Sequence, residues 1–223
     1  MQFSDVLASS VHDIKNSLGL VMNTLDRILS DPDTRIGDPR SAKVLQLEAQ
    51  RANSNLVQLL SLYKLEKQQL AVNLLEHNVE DFLDEILAEN AALMHSLGVE
   101  IETDCDVDFN AYFDENLVRG VLNSVVGNAE RYTRDRIRLC AGEEDGYAVF
   151  RVEDNGNGFP GHMLDHAVEA PQSGENSDKS HTQLGLYFAS EVARLHKAGD
   201  REGYIRLRNG VNLEGGCFEL WLP

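Results

Sequence analysis

The sequence predicts an α+β chain in two parts: an N-terminal antiparallel helical hairpin, then a two-layer α/β sandwich. Three observations predict it. Apolar residues up to about position 70 recur at alternating spacings of four and three, the a/d pattern of helices that meet along a seam. From Ala71 onward that pattern gives way to short strands and amphipathic helices. A composition of 42% hydrophobic and 26% charged residues over 223 positions supports a sizeable core.

The elements follow in order. Leu7, Val11, Ile14, Leu18, Val21, Leu25 and Ile28 form the first seam, with Ser4 as a cap near its start. The stretch DPDTRIGDP, with Pro32, Gly37 and Pro39, ends that helix. Leu45, Ala49, Ala52, Leu56, Leu59 and Tyr63 form a second seam, so residues 1–70 read as a helical hairpin. Two helices bury too little by themselves. The seam invites a partner hairpin and a four-helix bundle in a homodimer, the alternative being packing on the chain's own C-terminal part. Residues 71–223 begin with an extended VNLLEHNV and a helix over VEDFLDEILAENAALMHSLG, with Phe82, Ile86, Leu93 and Leu97 on one side and Gly98 as its cap. VEIETD alternates as a half-buried strand, and NLVRGVLNSVVGNAERY is helical. RIRLCA and YAVFRVED flank GEEDG, an Asp-Gly hairpin turn. PQSGENSDKSHT reads as a polar loop, QLGLYFASEVARLHK as a helix, and YIRLRN and CFELWLP as strands around GVNLEGG.

Charge excludes some partners. The chain carries 20 Lys and Arg against 37 Asp and Glu, a net charge of −17. Nucleic acid and anionic lipid attract cationic surfaces, so neither is expected. Any phosphate must be met by backbone dipoles, a metal or a few basic residues. Cys105, Cys140 and Cys217 are far apart and form no CxxC, which points to a reducing compartment without a disulfide framework or zinc site. No basic leader precedes an apolar core, and no run reaches the ~18 apolar residues of a membrane span. A cytoplasmic location is expected.

Four short constellations carry chemistry. His12 lies beside the first seam, Asp13 follows it, and Asn16 sits one turn along the same face. An exposed imidazole is a nucleophile toward phosphorus, and a neighbouring carboxylate can orient its ring. Asn16 could hydrogen-bond a phosphoryl group on His12 or hold a water for its removal. In VEDNGNGFP, Asp154 ends a strand, and Gly156 and Gly158 make a tight turn that a ligand can approach closely. Such an Asp can accept a hydrogen bond from an exocyclic amine such as adenine's, although an acidic calcium-type loop or a plain turn reads the same way. In NSVVGNAERYT, Ser124, Asn128 and Arg131 share one helical face. Asn128 can offer an oxygen to Mg²⁺, Arg131 can meet a phosphate and Tyr132 can lie against a base; the plainer reading is the wet side of an amphipathic helix. In HTQLGL, Gly185 at the opening of a helix would turn N–H groups toward an anion, with the Thr182 hydroxyl beside them.

In this order the four resemble the boxes of the two-component sensor histidine kinases: HDIKN the phospho-acceptor box, NSVVGNAERYT the N-box, DNGNG the G1 box and LGL the end of the G2 box. The resemblance runs from His12 to the terminal ELWLP. It implies a dimeric phosphotransfer hairpin followed by an ATP-binding sandwich of the histidine-kinase ATPase type. It further implies that His12 accepts the phosphoryl group through Nε2, with Asp13 activating or orienting the ring and Asn16 serving dephosphorylation of a partner. Asn128 would then hold Mg²⁺, Arg131 a phosphate and Tyr132 the adenine side. Asp154 would read adenine between Gly156 and Gly158, with Leu184 and Gly185 at the triphosphate end. The implied ligands are ATP and Mg²⁺, and the implied partner is a response regulator receiver domain.

The sequence departs from the family pattern at three positions. Ser124 stands at the usual first Asn of the N-box, and His181 and Gln183 stand where the G2 pattern GxGLGL has glycines. These side chains would crowd the triphosphate and lower ATP affinity or autokinase rate. The expected function is autophosphorylation of His12 and transfer to a regulator aspartate. The alternative is a degenerate phosphotransfer, phosphatase or inhibitory docking protein. An ATPase-driven machine would need a general-base Glu where Ser124 stands.

Overall fold

A computed structural model describes residues 14, 16, 18–25, 28, 39–67, 69–164 and 177–223, with side chains undescribed at 39–44, 46–47 and 177–183. The chain divides into two compact units, Met1–Leu70 and Ala71–Pro223. In the first, residues 18–25 are helical (α1) and a long helix α2 spans Pro39–Glu66. Proline suits the first helical position, where an N–H would lack a partner anyway. Ala49 is buried, whereas Ile14, Val21, Ile28, Leu45 and Leu59 of the two seams stay exposed. Among the described residues, no helix is long and apolar enough to cross a membrane.

The second unit contains β1 (Leu75–Asn78), α3 (Val79–Leu97), β2 (Glu100–Asp104), β3 (Asn110–Phe113), α4 (Glu115–Tyr132), β4 (Arg136–Glu144), β5 (Tyr147–Asp154), α5 (Gly161–Leu164), α6 (Ser177–Leu195), β6 (Lys197–Ala198), β7 (Arg201–Glu202), β8 (Tyr204–Asn209) and β9 (Gly216–Leu222). Five strands form one sheet in the order β2-β4-β5-β9-β8, parallel between β2 and β4 and antiparallel elsewhere. Helices α3, α4 and α6 pack on it and make the second layer. Strand alternation sends Phe150 and Val152 toward the helices and Arg151 and Glu153 to the opposite face. Phe82 of α3, Phe113 of β3 and Phe150 of β5 meet with ring centroids 5.0 to 6.1 Å apart, at edge-to-face angles that suit their quadrupoles.

Helix α4 is fixed at its start. The Asp114 side chain caps it by accepting from the Leu117 N–H at 3.1 Å, and its second oxygen accepts from the Asn73 N–H at 2.9 Å. The Asp114 N–H donates in turn to Nε2 of His196 at 3.0 Å, while Nδ1 of the same ring donates to the Val192 carbonyl at 2.8 Å. His196 is buried and neutral, joining the end of α6 to the start of α4. Farther along, Arg119 reaches Glu115 on its own helix and Glu85 and Glu89 on α3, and covers the Phe82 ring.

The structure differs from the sequence expectation in four places. Asn110–Phe113 forms a strand paired with β1, and β6 and β7 form a small ribbon; both segments are too short to show periodicity. Leu97 is exposed at the end of α3, whose buried face is instead Val79, Phe82, Leu83, Ile86 and Met94. Helix α6 starts at Ser177, within the segment read as loop, because polar residues can supply opening turns that no apolar stripe announces.

Burial lowers the His196 pKa from its ordinary 6.5. The folded state therefore takes up that proton less readily than the unfolded chain, so stability is present above about pH 6.5 and declines as pH falls toward 5. Thermal melts across that range should show this decline in the wild type and a shallower one in His196→Phe. The variant should also lose about 1–3 kcal/mol at neutral pH, because it leaves the Asp114 N–H buried without an acceptor.

Candidate functional site

The candidate site forms where β5 ends, in the middle of the sheet. Asp154 closes that strand on the helix-covered face and is buried. Its Oδ1 accepts from the Gly156 N–H at 2.7 Å, and its carbonyl accepts from the Gly215 N–H at 3.0 Å. A carboxylate offers about four acceptor positions, so these bonds leave capacity for an incoming amine. A β-carbon at Gly156 would collide with the Tyr132 carbonyl oxygen. The turn after β5 and the end of α4 are thus in backbone contact, which only glycine permits.

Neighbouring side chains secure that turn. Gly158 has φ +77°, and a β-carbon there would come 2.8 Å from Cγ of Asn209. Asn209, at the end of β8, accepts from the Phe159 N–H at 2.8 Å and donates to the Phe159 carbonyl at 2.9 Å. Asn155 gathers the loop between α4 and β4. Its Oδ1 accepts from the Thr133 hydroxyl at 2.9 Å and from the backbone N–H groups of Arg134, Asp135 and Arg136 at 3.1 to 3.2 Å, and its Nδ2 donates to Asp135 at 2.7 Å.

The structure brings Asp154, Gly156 and the end of α4 together. Along α4, Ser124 and Asn128 are half-buried and Arg131 and Tyr132 exposed, opposite a face of buried Leu117, Val118, Val121, Leu122, Val125 and Val126. The cradle of small residues around Asp154 suits a flat ligand edge, and the oxygen of Asn128 suits a hard cation. The expectation for Gly185 needs correction. It lies in the third turn of α6 and not at a helix opening, because α6 begins eight residues earlier at Ser177. The Gly185 N–H therefore falls where α-helical N–H groups bond the preceding turn. Leu184 is half-buried next to it, and Thr182 lies in the same helix with its side chain outside the described residues. His12 and Asp13 lie outside the described residues. Asn16 is helical and exposed in the other unit.

Sequence reasoning missed Asn155, Asn209, Gly215 and Gly216 as parts of the site. A Gly-Gly pair directly before a strand is a recognisable signal of close backbone approach. Asn209 left none, since it acts on a residue 50 positions away.

Known proteins resemble this chain in sequence and in fold. Residues 113–223 match the family described as histidine kinase-, DNA gyrase B-, and HSP90-like ATPase. The chain is 27% identical over 229 aligned residues to histidine kinase P4 of Formosa agariphila, covering 95% of this chain and 16% of that protein. It is 23% identical over 224 residues to the sensor-like histidine kinase SenX3 of Mycobacterium tuberculosis, covering 98% of this chain and 53% of SenX3. The chain therefore spans about half or less of the length of these relatives. In fold it is similar to the histidine kinase AdeS of Acinetobacter baumannii, with a TM-score of 0.61, 18% identity and coverage of 95% of this chain and 96% of that one.

Gly158→Ala should destabilise the second unit by about 1–2 kcal/mol through its left-handed backbone alone, and Asn209→Ala by about 1–2 kcal/mol through two lost hydrogen bonds. Denaturant titration should show both losses. Combined, the two should sum to less than their parts, because both loosen one turn.

Proposed function

We propose that the chain, matched over residues 113–223 by the histidine kinase-, DNA gyrase B-, and HSP90-like ATPase family, is a sensor histidine kinase catalytic core that binds ATP, phosphorylates His12 and passes the phosphoryl group to an aspartate of a response regulator receiver domain. The observation that carries the reading is the buried Asp154 carboxylate, cradled by glycines against the end of α4. Its free acceptor capacity suits the 6-amino group of adenine, with the Tyr132 ring beside the base. Asn128 would hold Mg²⁺, which when bound draws together and neutralises phosphate oxygens, and Arg131 would meet a phosphate. In the transfer, a nitrogen–phosphorus bond forms at Nε2 of His12 and the bond from the γ-phosphorus to the bridging oxygen of ADP breaks. Asp13 would keep the ring proton on Nδ1, leaving Nε2 free to attack. Positioning and electrostatics supply most of the rate in such a transfer. Asn16 would serve dephosphorylation of the regulator. A reducing, cytoplasmic setting fits three free thiols.

The exposed seam supports a homodimer. Ile14, Val21, Ile28, Leu45 and Leu59 offer an apolar stripe that a second hairpin would bury in a four-helix bundle. A second reading, a regulator-docking protein with weak nucleotide binding, is favoured by one observation: α6 runs as helix through positions 177–185, where the family pattern asks for a glycine-rich turn.

Incubation with γ-labelled ATP and Mg²⁺ should give acid-labile, base-stable label on the wild type. His12→Ala should lose the label and keep ATP binding. Asp154→Asn should weaken ATP about 10- to 100-fold, the worth of one charged hydrogen bond. Absence of both label and ATP binding in the wild type overturns the kinase reading in favour of the docking one. Light scattering should report a dimer for the wild type and a monomer for Leu59→Asp.

A further inference from the structure

Glu153 directly precedes Asp154 and plays no part in the chemistry above, yet only 1% of its surface is exposed. Strand alternation turns it to the sheet face opposite Asp154. Three of the hydrogen bonds to its carboxylate come from a single loop. Oε2 accepts from the backbone N–H groups of Asn212 at 3.0 Å and Leu213 at 3.1 Å, and Oε1 accepts from Nδ2 of Asn212 at 2.7 Å. The thiol of Cys140 on β4 lies 3.7 Å from Oε1. Burial and the nearby Glu153 push that thiol up to about 12, so it serves as a neutral donor.

The loop held in this way joins β8 to β9 and is closed by the Gly210 N–H, which donates to the Gly215 carbonyl at 3.0 Å. Its far end reaches the other face of β5. Gly215 donates to the Asp154 carbonyl, and Gly215 and Gly216 lie so close to the Asp154 side chain that a β-carbon on either would strike it; at Gly216 it would come 2.9 Å from Oδ2. The Glu153 carboxylate thus holds the middle of the loop, at Asn212 and Leu213, while the backbone carbonyl of Asp154 holds its far end at Gly215.

We infer that Glu153 and Asn212 are positioning residues for nucleotide selectivity: they pin the 210–215 loop so that its glycine pair walls in Asp154 and fixes the direction of its acceptor oxygens. The inference rests on the reading that Asp154 receives the adenine amine. Adenine presents a donor at its 6-position and guanine an acceptor. A fixed carboxylate repels the guanine oxygen, whereas a carboxylate free to turn away tolerates it. Releasing the loop therefore lowers the preference for ATP over GTP and does more than weaken the fold.

The test is competition of ATP and GTP against a fluorescent ATP analogue on the full chain, with thermal melts in parallel. Asn212 is exposed, so Asn212→Ala folds even if Glu153→Gln does not. The wild type should prefer ATP, and each single variant should lower that preference about fivefold, the worth of one hydrogen bond. Glu153→Gln combined with Asn212→Asp reverses the donor and acceptor of the side-chain bond and should restore the preference. An unchanged ATP-to-GTP ratio in Asn212→Ala, or equal weakening of both nucleotides, overturns the inference. Asp154→Asn separates the two failures. If it abolishes selectivity while Asn212→Ala leaves it intact, only the role of Glu153 and Asn212 falls. If the wild type has no ATP preference, or Asp154→Asn retains it, the adenine reading falls and this inference with it.

Discussion

The end of strand β5 is the constraint on which the rest of the site depends. Three consecutive side chains, Glu153, Asp154 and Asn155, hold the β8–β9 loop, the glycine turn and the α4–β4 loop respectively. Closing such loops costs entropy that must be compensated. The hydrogen bonds at the strand end supply that compensation. Their register is enforced by β5 itself, which is paired on both sides, by β4 and β9. A slip of one residue would exchange the faces of Glu153 and Asp154 and bury the wrong side chains throughout the strand. The hydrophobic alternation of a central strand thereby fixes the aim of a polar one.

Helix α4 is held with equal care and for a related reason. His196 and Asp114 secure its start, Arg119 anchors its middle to two glutamates of α3, and Asn155 ties down the loop at its end. Apolar packing along Val118, Val121 and Val125 leaves a helix able to rotate or slide by small amounts, whereas hydrogen bonds with defined partners do not. The polar residues on the opposite side of α4 from its buried face inherit this placement. The sheet's other face shows how the chain tolerates buried charge. Glu219 is fully buried and meets Nε of Arg151 at 3.1 Å and the Trp221 indole N–H at 3.0 Å. Glu153 meets N–H groups and a thiol instead. Both satisfy the rule that a buried carboxylate must be bonded, and both do so within a chain of net charge −17.

Much of this architecture was legible in the sequence because its signals are local. The α4 face is periodic, the β4–β5 hairpin carries its Asp-Gly turn, and β8 and β9 are short runs with apolar and aromatic residues on either side of a glycine-rich loop. DNGNG was legible as a turn because two glycines in alternation after a strand have few other uses. What escaped is aperiodic. Asn209 serves Phe159, and Glu153 serves Asn212, across 50 and 59 residues, and a single polar side chain in a strand gives no hint of so distant a partner. Strand β3 escaped because its four residues pair with β1, across an intervening helix and strand. The start of α6 escaped because its first turns are polar.

That last difference bears on how nucleotide affinity would be divided. At Asp154, the proposed adenine end, the hydrogen bond from the Gly156 N–H that aims the carboxylate is already made within the protein, so binding there would require little reorganisation. At the triphosphate end the opposite holds. In a helix that begins at Ser177, only the first four N–H groups lack a partner in the preceding turn, and those of Leu184 and Gly185 fall beyond them. Anion binding at Gly185 would require the opening turns of α6 to unwind, against their hydrogen bonds and with His181 and Gln183 in place of the glycines that make such a loop easy to bend. The Asp154 end of the candidate site is therefore prepared for a ligand and the Gly185 end is not. A nucleotide would be recognised first by its base, and the difference in affinity between adenosine and ATP would measure the work of reshaping the start of α6.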